Sequence, residues 1–102
     1  MNFPRYICSH LVRFRNGGKE SVANLEEIWQ AGAILECEEP VEEGSRGEVR
    51  IESAFFSGKV TEIERHEFGW RVQLEFSPLT PWRPEVFRPD HMVEIARPSE
   101  SP

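Results

Sequence analysis

The stretch NLEEIWQAGA, residues 24–33, decides the fold, because it reads both as a short helix and as the end of one strand and the start of the next. For a helix, Asn24 is a good cap, Glu27 stands at the third helical position, and Leu25, Ile28 and Trp29 have three-and-four spacing. Against it, only seven residues lie between Asn24 and Gly32, and a helix that short is marginal unless packing holds it.

The flanking sequence is strand-like. HLVRFR (10–15) alternates Val12 and Phe14 with Leu11, Arg13 and Arg15, as a half-buried strand does. NGGK (16–19) is a strong hairpin turn, and ESVANLEEI is its return strand. GAILECEE (32–39) predicts another strand, PVEEGSRG (40–47) a loop, and EVRIES a strand with Val49 and Ile51 on one face. In FFSGKVTEIER, Gly58 marks a bulge or a close backbone approach. EFG (67–69) is a tight turn. WRVQLEF (70–76) then alternates without a fault, with Trp70, Val72, Leu74 and Phe76 facing the core. Six or so short strands at this spacing predict an all-β antiparallel barrel or sandwich.

The character changes after Phe76. Pro78, Pro81, Pro84 and Pro89 fall within twelve residues, too many for a central strand. PEVF and PDHMVEI suit short helical turns that start on proline. PLTP and PWRP fit a PxxP pattern but are read as wall segments. Trp82 is expected to cover one end of the barrel. Residues 1–96 are expected to form one domain, and 97–102 a disordered tail.

Composition narrows the function. A chain of 102 residues can bury roughly 60 to 70% of its unfolded surface, enough for a core without staples. No apolar run approaches the ~18 residues of a membrane span. The N-terminus lacks an uninterrupted apolar signal core, so a cytoplasmic protein without membrane insertion is expected. Cys8 and Cys37 are too few for a disulfide scaffold or a zinc cluster, and both are expected to be reduced. His10, His66 and His91 have no ligand spacing, so no metal is expected. Ser9 and His10 are strand neighbours that point to opposite faces, and no acid–base pair or phosphate-cradling loop stands out. No enzyme activity is expected. Eighteen acids against twelve bases, net −6, argue against nucleic acid as a partner. Ten of the twelve bases are nonetheless arginine, the residue suited to bidentate recognition of phosphate or carboxylate.

Counted back from Gly32, the opening stretch is Glu27-x-Trp29-x-x-Gly32, after a V-x-x-L strand and before GAILECEEPVEEGSRGEVRI. This order and spacing resembles the PilZ domain family, whose turn motif is [Asp/Asn]-x-Ser-x-x-Gly. FSGKVTEIERHEFGWRVQLEFSPL resembles the family's later hairpin, and the likeness extends over most of residues 5–95. On this resemblance residues 24–33 are a strand end and a turn.

The resemblance implies a six-stranded antiparallel PilZ-like β-barrel with a short C-terminal helix. It also implies a bacterial signalling module that senses cyclic di-GMP and passes the signal to a protein partner. No cofactor is expected, and cyclic di-GMP is the implied ligand. Family members hold it with Arg-x-x-x-Arg in the N-terminal segment and with the turn motif. In this chain the corresponding residues are Arg5 and Ser9, then Glu27, Trp29 and Gly32. Ser9 replaces the second arginine, Glu27 replaces Asp or Asn, and Trp29 replaces Ser. Each lost charge-assisted contact is worth ~1.5–3 kcal/mol, or about ten- to a hundredfold in affinity. Arg13 and Arg15 are the candidates to compensate from the neighbouring strand. With both motifs degenerate, ligand binding is expected to be weak or lost, leaving a protein-interaction role in which Trp29 plugs the vacated site or anchors a partner. The alternative is a small β-barrel that binds single-stranded nucleic acid through exposed aromatics.

Overall fold

The computed structural model describes residues 4–95, and these form β-structure and turns with no helix. The strands are β1 (Tyr6–Asn16), β2 (Lys19–Trp29), β3 (Gly32–Cys37), β4 (Arg46–Ile51), β5 (Ala54–His66), β6 (Gly69–Phe76) and the two-residue β7 (Val93–Glu94). Neighbours pair antiparallel in the order β2-β3-β6-β5-β4-β1, and β1 also pairs with β2, which closes a six-stranded barrel. β7 lies against the first residues of β1, outside the ring.

Residues 24–33 are therefore strand, turn and strand. The strand reading holds because Ile28 and Leu25 are both buried as part of β2, and Trp29 pairs directly with Gly32 across the Gln30–Ala31 turn. The Ala31 carbonyl accepts a hydrogen bond from the Phe76 N–H at 2.7 Å, tying this turn to the end of β6.

Strand alternation fills the interior. Val12 and Phe14 from β1, Leu35 from β3, Val49 and Ile51 from β4, and Val72, Leu74 and Phe76 from β6 are all buried. Phe56 and Phe76 stack with centroids 5.2 Å apart. Trp70 departs from the expectation of a fully buried core residue. It sits at the start of β6 on the barrel rim, is only half-buried, and carries the Arg65 guanidinium 5.2 Å from its ring centroid.

Gly58 marks a close backbone approach, while the bulge on β5 falls at Thr61, where the register with β6 shifts between Val60 and Glu62. A Cβ at Gly58 would meet the Glu75 carbonyl and lie 2.9 Å from the Phe76 Cα. Neither is a side chain that can swing aside. Gly58→Ala is accordingly expected to destabilise the barrel by about 1–3 kcal/mol, measured as a lower urea midpoint with an unchanged slope.

The loop expected over 40–47 is shorter than its sequence suggested, because Arg46 and Gly47 already pair with Lys59 and Gly58 in β4. The C-terminal helix is absent among the described residues. Arg83–Phe87 makes a single turn, with the Val86 N–H donating to the Arg83 carbonyl, and Val93–Glu94 is extended. Pro84 can start the turn, but Pro89 lacks the N–H donor that a helix continuing from it would need. Trp82 does cover one barrel end as expected: it is 2% exposed and meets Tyr6 edge-on at 5.6 Å. The expected tail, 97–102, lies outside the described residues.

Candidate functional site

The β2 alternation slips once. Leu25 pairs with Leu35, but Glu27, not Glu26, opposes Ile34. This bulge places two successive carboxylates on the outer face, with buried Leu25 before them and buried Ile28 after them. A regular strand would have put one of the two inside the barrel, where an unpaired charge is costly.

Arg71 answers both carboxylates. It sits on β6 directly opposite Glu36 of β3, and its side chain reaches over β3 to β2. Its Nε lies 3.5 Å from Glu26 and its Nη2 donates to Glu27 at 3.1 Å. On the other side of Glu27, the Arg5 Nη1 lies 3.8 Å away. The Glu27 carboxylate is thus held between two guanidinium groups.

Arg5 has a second partner. Its guanidinium carbon lies 3.7 Å from the centroid of the Trp29 ring, a close cation–π stack. The indole in turn lies against Gly32. A Cβ at Gly32 would come within 2.8 Å of the Trp29 Cζ2 and would also meet the Leu74 carbonyl. Gly32 is therefore needed for Trp29 to lie flat on the backbone. Four of the residues singled out in the sequence, Arg5, Glu27, Trp29 and Gly32, form one contiguous cluster.

The other three do not join it. Arg13 and Arg15 lie near the opposite end of β1, separated from Tyr6 by about 23 Å of strand or more. Arg13 pairs with Glu20 at 2.9 Å, and its cross-strand neighbour on β4 is Arg50. Compensation from this strand is therefore not available at the cluster. Ser9 is exposed at a β1 irregularity, its hydroxyl 3.4 Å from the Asn24 Oδ1 and its N–H donating to the Asp90 carbonyl.

Two members of the cluster were not visible in the sequence. In the alternating segment WRVQLEF, Arg71 is one of three outward residues, and nothing in that segment points it to β2. The signal available was the doubled acid, EE at 26–27, at a place where strict alternation demands one inward residue. Burial pushes the Glu26 carboxyl up, and the nearby Glu36 carboxylate adds to this against the opposing pull of Arg71. A carboxyl raised in the folded state stabilises fully below its unfolded value and loses that contribution as pH rises through its folded value. Glu26→Gln should therefore flatten the fall in stability between mildly acidic and neutral pH. Urea midpoints of both proteins across that range check it.

The tryptophans do not form a common platform. Trp82 is buried, Trp29 is covered by Arg5, and Trp70 stands at the far end of the β3–β6 pair, opposite Cys37. Both thiols are free and buried, and burial pushes Cys8 up to about 12 and Cys37 to about 11. Both are protonated and unreactive at neutral pH. Among the described residues, no three of His, Cys, Asp and Glu are placed to hold a metal ion, and no helix is long and apolar enough to cross a membrane.

Compared with models of known protein families and with curated proteins, the chain matches none of them.

Proposed function

We propose that this protein is a PilZ-like regulatory module that works through protein contact, with the place of the cyclic di-GMP site occupied by its own Arg5 and Trp29. One observation carries the reading: the Arg5 guanidinium stacks on Trp29 at 3.7 Å while its edge faces Glu27 at 3.8 Å. An arginine that recognises a guanine nucleotide uses its planar face on the purine and its N–H fork on phosphate. Here Trp29 takes the face and Glu27 takes the edge. Glu27 also brings negative charge to where a phosphate would have to sit, and its own charge is already balanced by Arg71.

The same internal pairing makes the surface a fixed one. A half-buried aromatic, a guanidinium stacked on it and a second arginine bridging two carboxylates restrict each other's rotamers. Such a patch is suited to a protein partner more than to a small ligand that must displace it.

The test is a calorimetric titration of the protein with cyclic di-GMP, run beside Arg5→Ala. The expected result is no binding heat up to millimolar ligand for either protein. Micromolar binding that disappears in Arg5→Ala would overturn the reading, since Arg5 would then be leaving Trp29 to engage the ligand.

A further inference from the structure

A second surface, away from Arg5 and Trp29, has the features of a docking site. Leu11, Val22 and Phe68 are 70%, 58% and 84% exposed, and all three line one cleft of about 320 Å³. They come from three separate segments. Leu11 is on the outer face of β1, Val22 on the outer face of β2, and Phe68 at the tip of the β5–β6 turn. The register explains the first two: Leu11 opposes Asn24 and Arg13 opposes Val22, so Leu11 and Val22 are diagonal neighbours across the β1–β2 pair. None of the three contributes to the barrel core, which lies on the other side of these strands. Scattered single apolar residues on a surface need no explanation, but three converging on one concave place do.

The rim of the cleft indicates its occupant. Asn24, Glu36, Cys37 and Glu38 complete the lining. Asn24 opposes Glu36 across β2 and β3, which sets a carboxylate beside the apolar floor. His66 lies 3.5 Å from Glu36. Among the described residues, Glu38 has no cation within ion-pair distance. The nearby bases are engaged elsewhere, Arg13 with Glu20, Lys19 with Glu39, and Arg71, directly opposite Glu36, with Glu26 and Glu27. The cleft is therefore apolar at its centre and negative at its edge.

That sign excludes several occupants. Phosphates of a nucleic acid or an anionic membrane would face Glu36 and Glu38 directly. A second copy would set the same carboxylates against each other, between two chains that each carry −6. We propose that the Leu11–Val22–Phe68 cleft docks a segment of a protein partner in which a large apolar side chain is flanked by lysine or arginine. This deepens the protein-contact reading given above and rests on it. The apolar side chain would supply the burial, and the basic flanks would fix orientation and exclude acidic competitors.

The test uses the whole 102-residue chain, ¹⁵N-labelled, titrated with the capped peptide Lys-Leu-Lys-Trp-Lys-Leu-Lys. Two control peptides carry Ser for Leu and Trp, or Glu for Lys. The expected result is saturable amide shifts centred on Leu11, Val22, Phe68, Glu36 and Glu38 with the first peptide only. Binding should weaken by about tenfold or more in Leu11→Ser/Phe68→Ser, and its salt dependence should shrink in Glu36→Gln/Glu38→Gln. All four positions are at least partly exposed, so the variants are expected to keep the wild-type fold, and an unchanged amide pattern elsewhere verifies it.

The proposal is overturned by no saturable shift at millimolar peptide, by equal binding of the Ser or the Glu peptide, or by shifts centred elsewhere. A concentration-dependent dimer of the free protein, abolished by Leu11→Ser/Phe68→Ser, would overturn it in favour of a second copy. The cyclic di-GMP titration is read separately. Heat there defeats the proposed function through Arg5, whereas loss of peptide binding defeats only this cleft.

Discussion

Trp82→Ala should lower the unfolding free energy by about 3–5 kcal/mol, the range for deleting a large buried aromatic. The indole is almost wholly removed from water and packs edge-on against Tyr6 at the start of β1. Its Nε1–H donates to the Phe87 carbonyl at 2.8 Å, and its backbone N–H donates to the Gln30 carbonyl in the β2–β3 turn. The proline-rich segment is thereby fastened over one barrel end. A further tie lies at Thr80, whose hydroxyl accepts from the Ser57 N–H and donates to the Ser57 carbonyl. Truncation leaves a cavity and an unpaired Phe87 carbonyl together. Trp82→Phe keeps most of the volume and loses only the Nε1–H bond, so its cost should be nearer 1–3 kcal/mol. Urea denaturation followed by far-ultraviolet circular dichroism measures both. Equal midpoints for wild type and Trp82→Ala would mean that the segment does not close the barrel.

The second large effect concerns the Arg5–Trp29 stack. A variant carrying Ser9→Arg, Glu27→Asp and Trp29→Ser restores the arginine pair and the turn pattern of the PilZ-like reading. It should bind cyclic di-GMP a hundredfold or more tightly than wild type, taking about tenfold or more from each of two regained contacts. Removing the indole frees the Arg5 guanidinium face, and shortening Glu27 draws its carboxylate back from Arg5. Ser9 is exposed, so an arginine there has room. Trp29→Ser alone should gain less, because the second guanidinium would still be missing. Calorimetry of the triple variant, the single variant and wild type gives the comparison. A folded triple variant that shows no heat would remove the cyclic di-GMP site from the proposed function.

Much of the barrel is legible in the residues themselves. In β6, buried Val72, Leu74 and Phe76 follow the two-residue period read from WRVQLEF, because side chains on successive strand residues must point to opposite faces. The turn at NGGK likewise follows from local backbone preference, and Gly17 and Gly18 both adopt positive φ there. Local rules stop working where the structure is non-local. The helix expected near the C-terminus gives way to a single turn and a two-residue strand, since pairing of Val93 with Ile7 is settled by a segment more than eighty residues away.

The candidate site divides in the same way. Glu27, Trp29 and Gly32 lie together because a turn brings residues close in sequence close in space, whereas Arg5, singled out only by the resemblance, reaches them through the β1–β2 pairing that sets Tyr6 opposite Ile28. Arg13 and Arg15 lie away from the cluster because the strand that carries them extends at about 3.3 Å per residue, which offsets their nearness to Arg5 in sequence. Arg71 and Glu26 meet only because a one-residue bulge in β2 turns a second carboxylate outward and β3 holds β6 at the right register. The sequence by itself determined which segments extend, which faces are apolar and where the chain turns, all set by interactions within a few residues. The tertiary structure decided which strands neighbour one another, which charges neutralise each other and that Arg5 stacks on Trp29. Those outcomes depend on register and closure of the ring, and the pairing energies that fix them join residues distant along the chain.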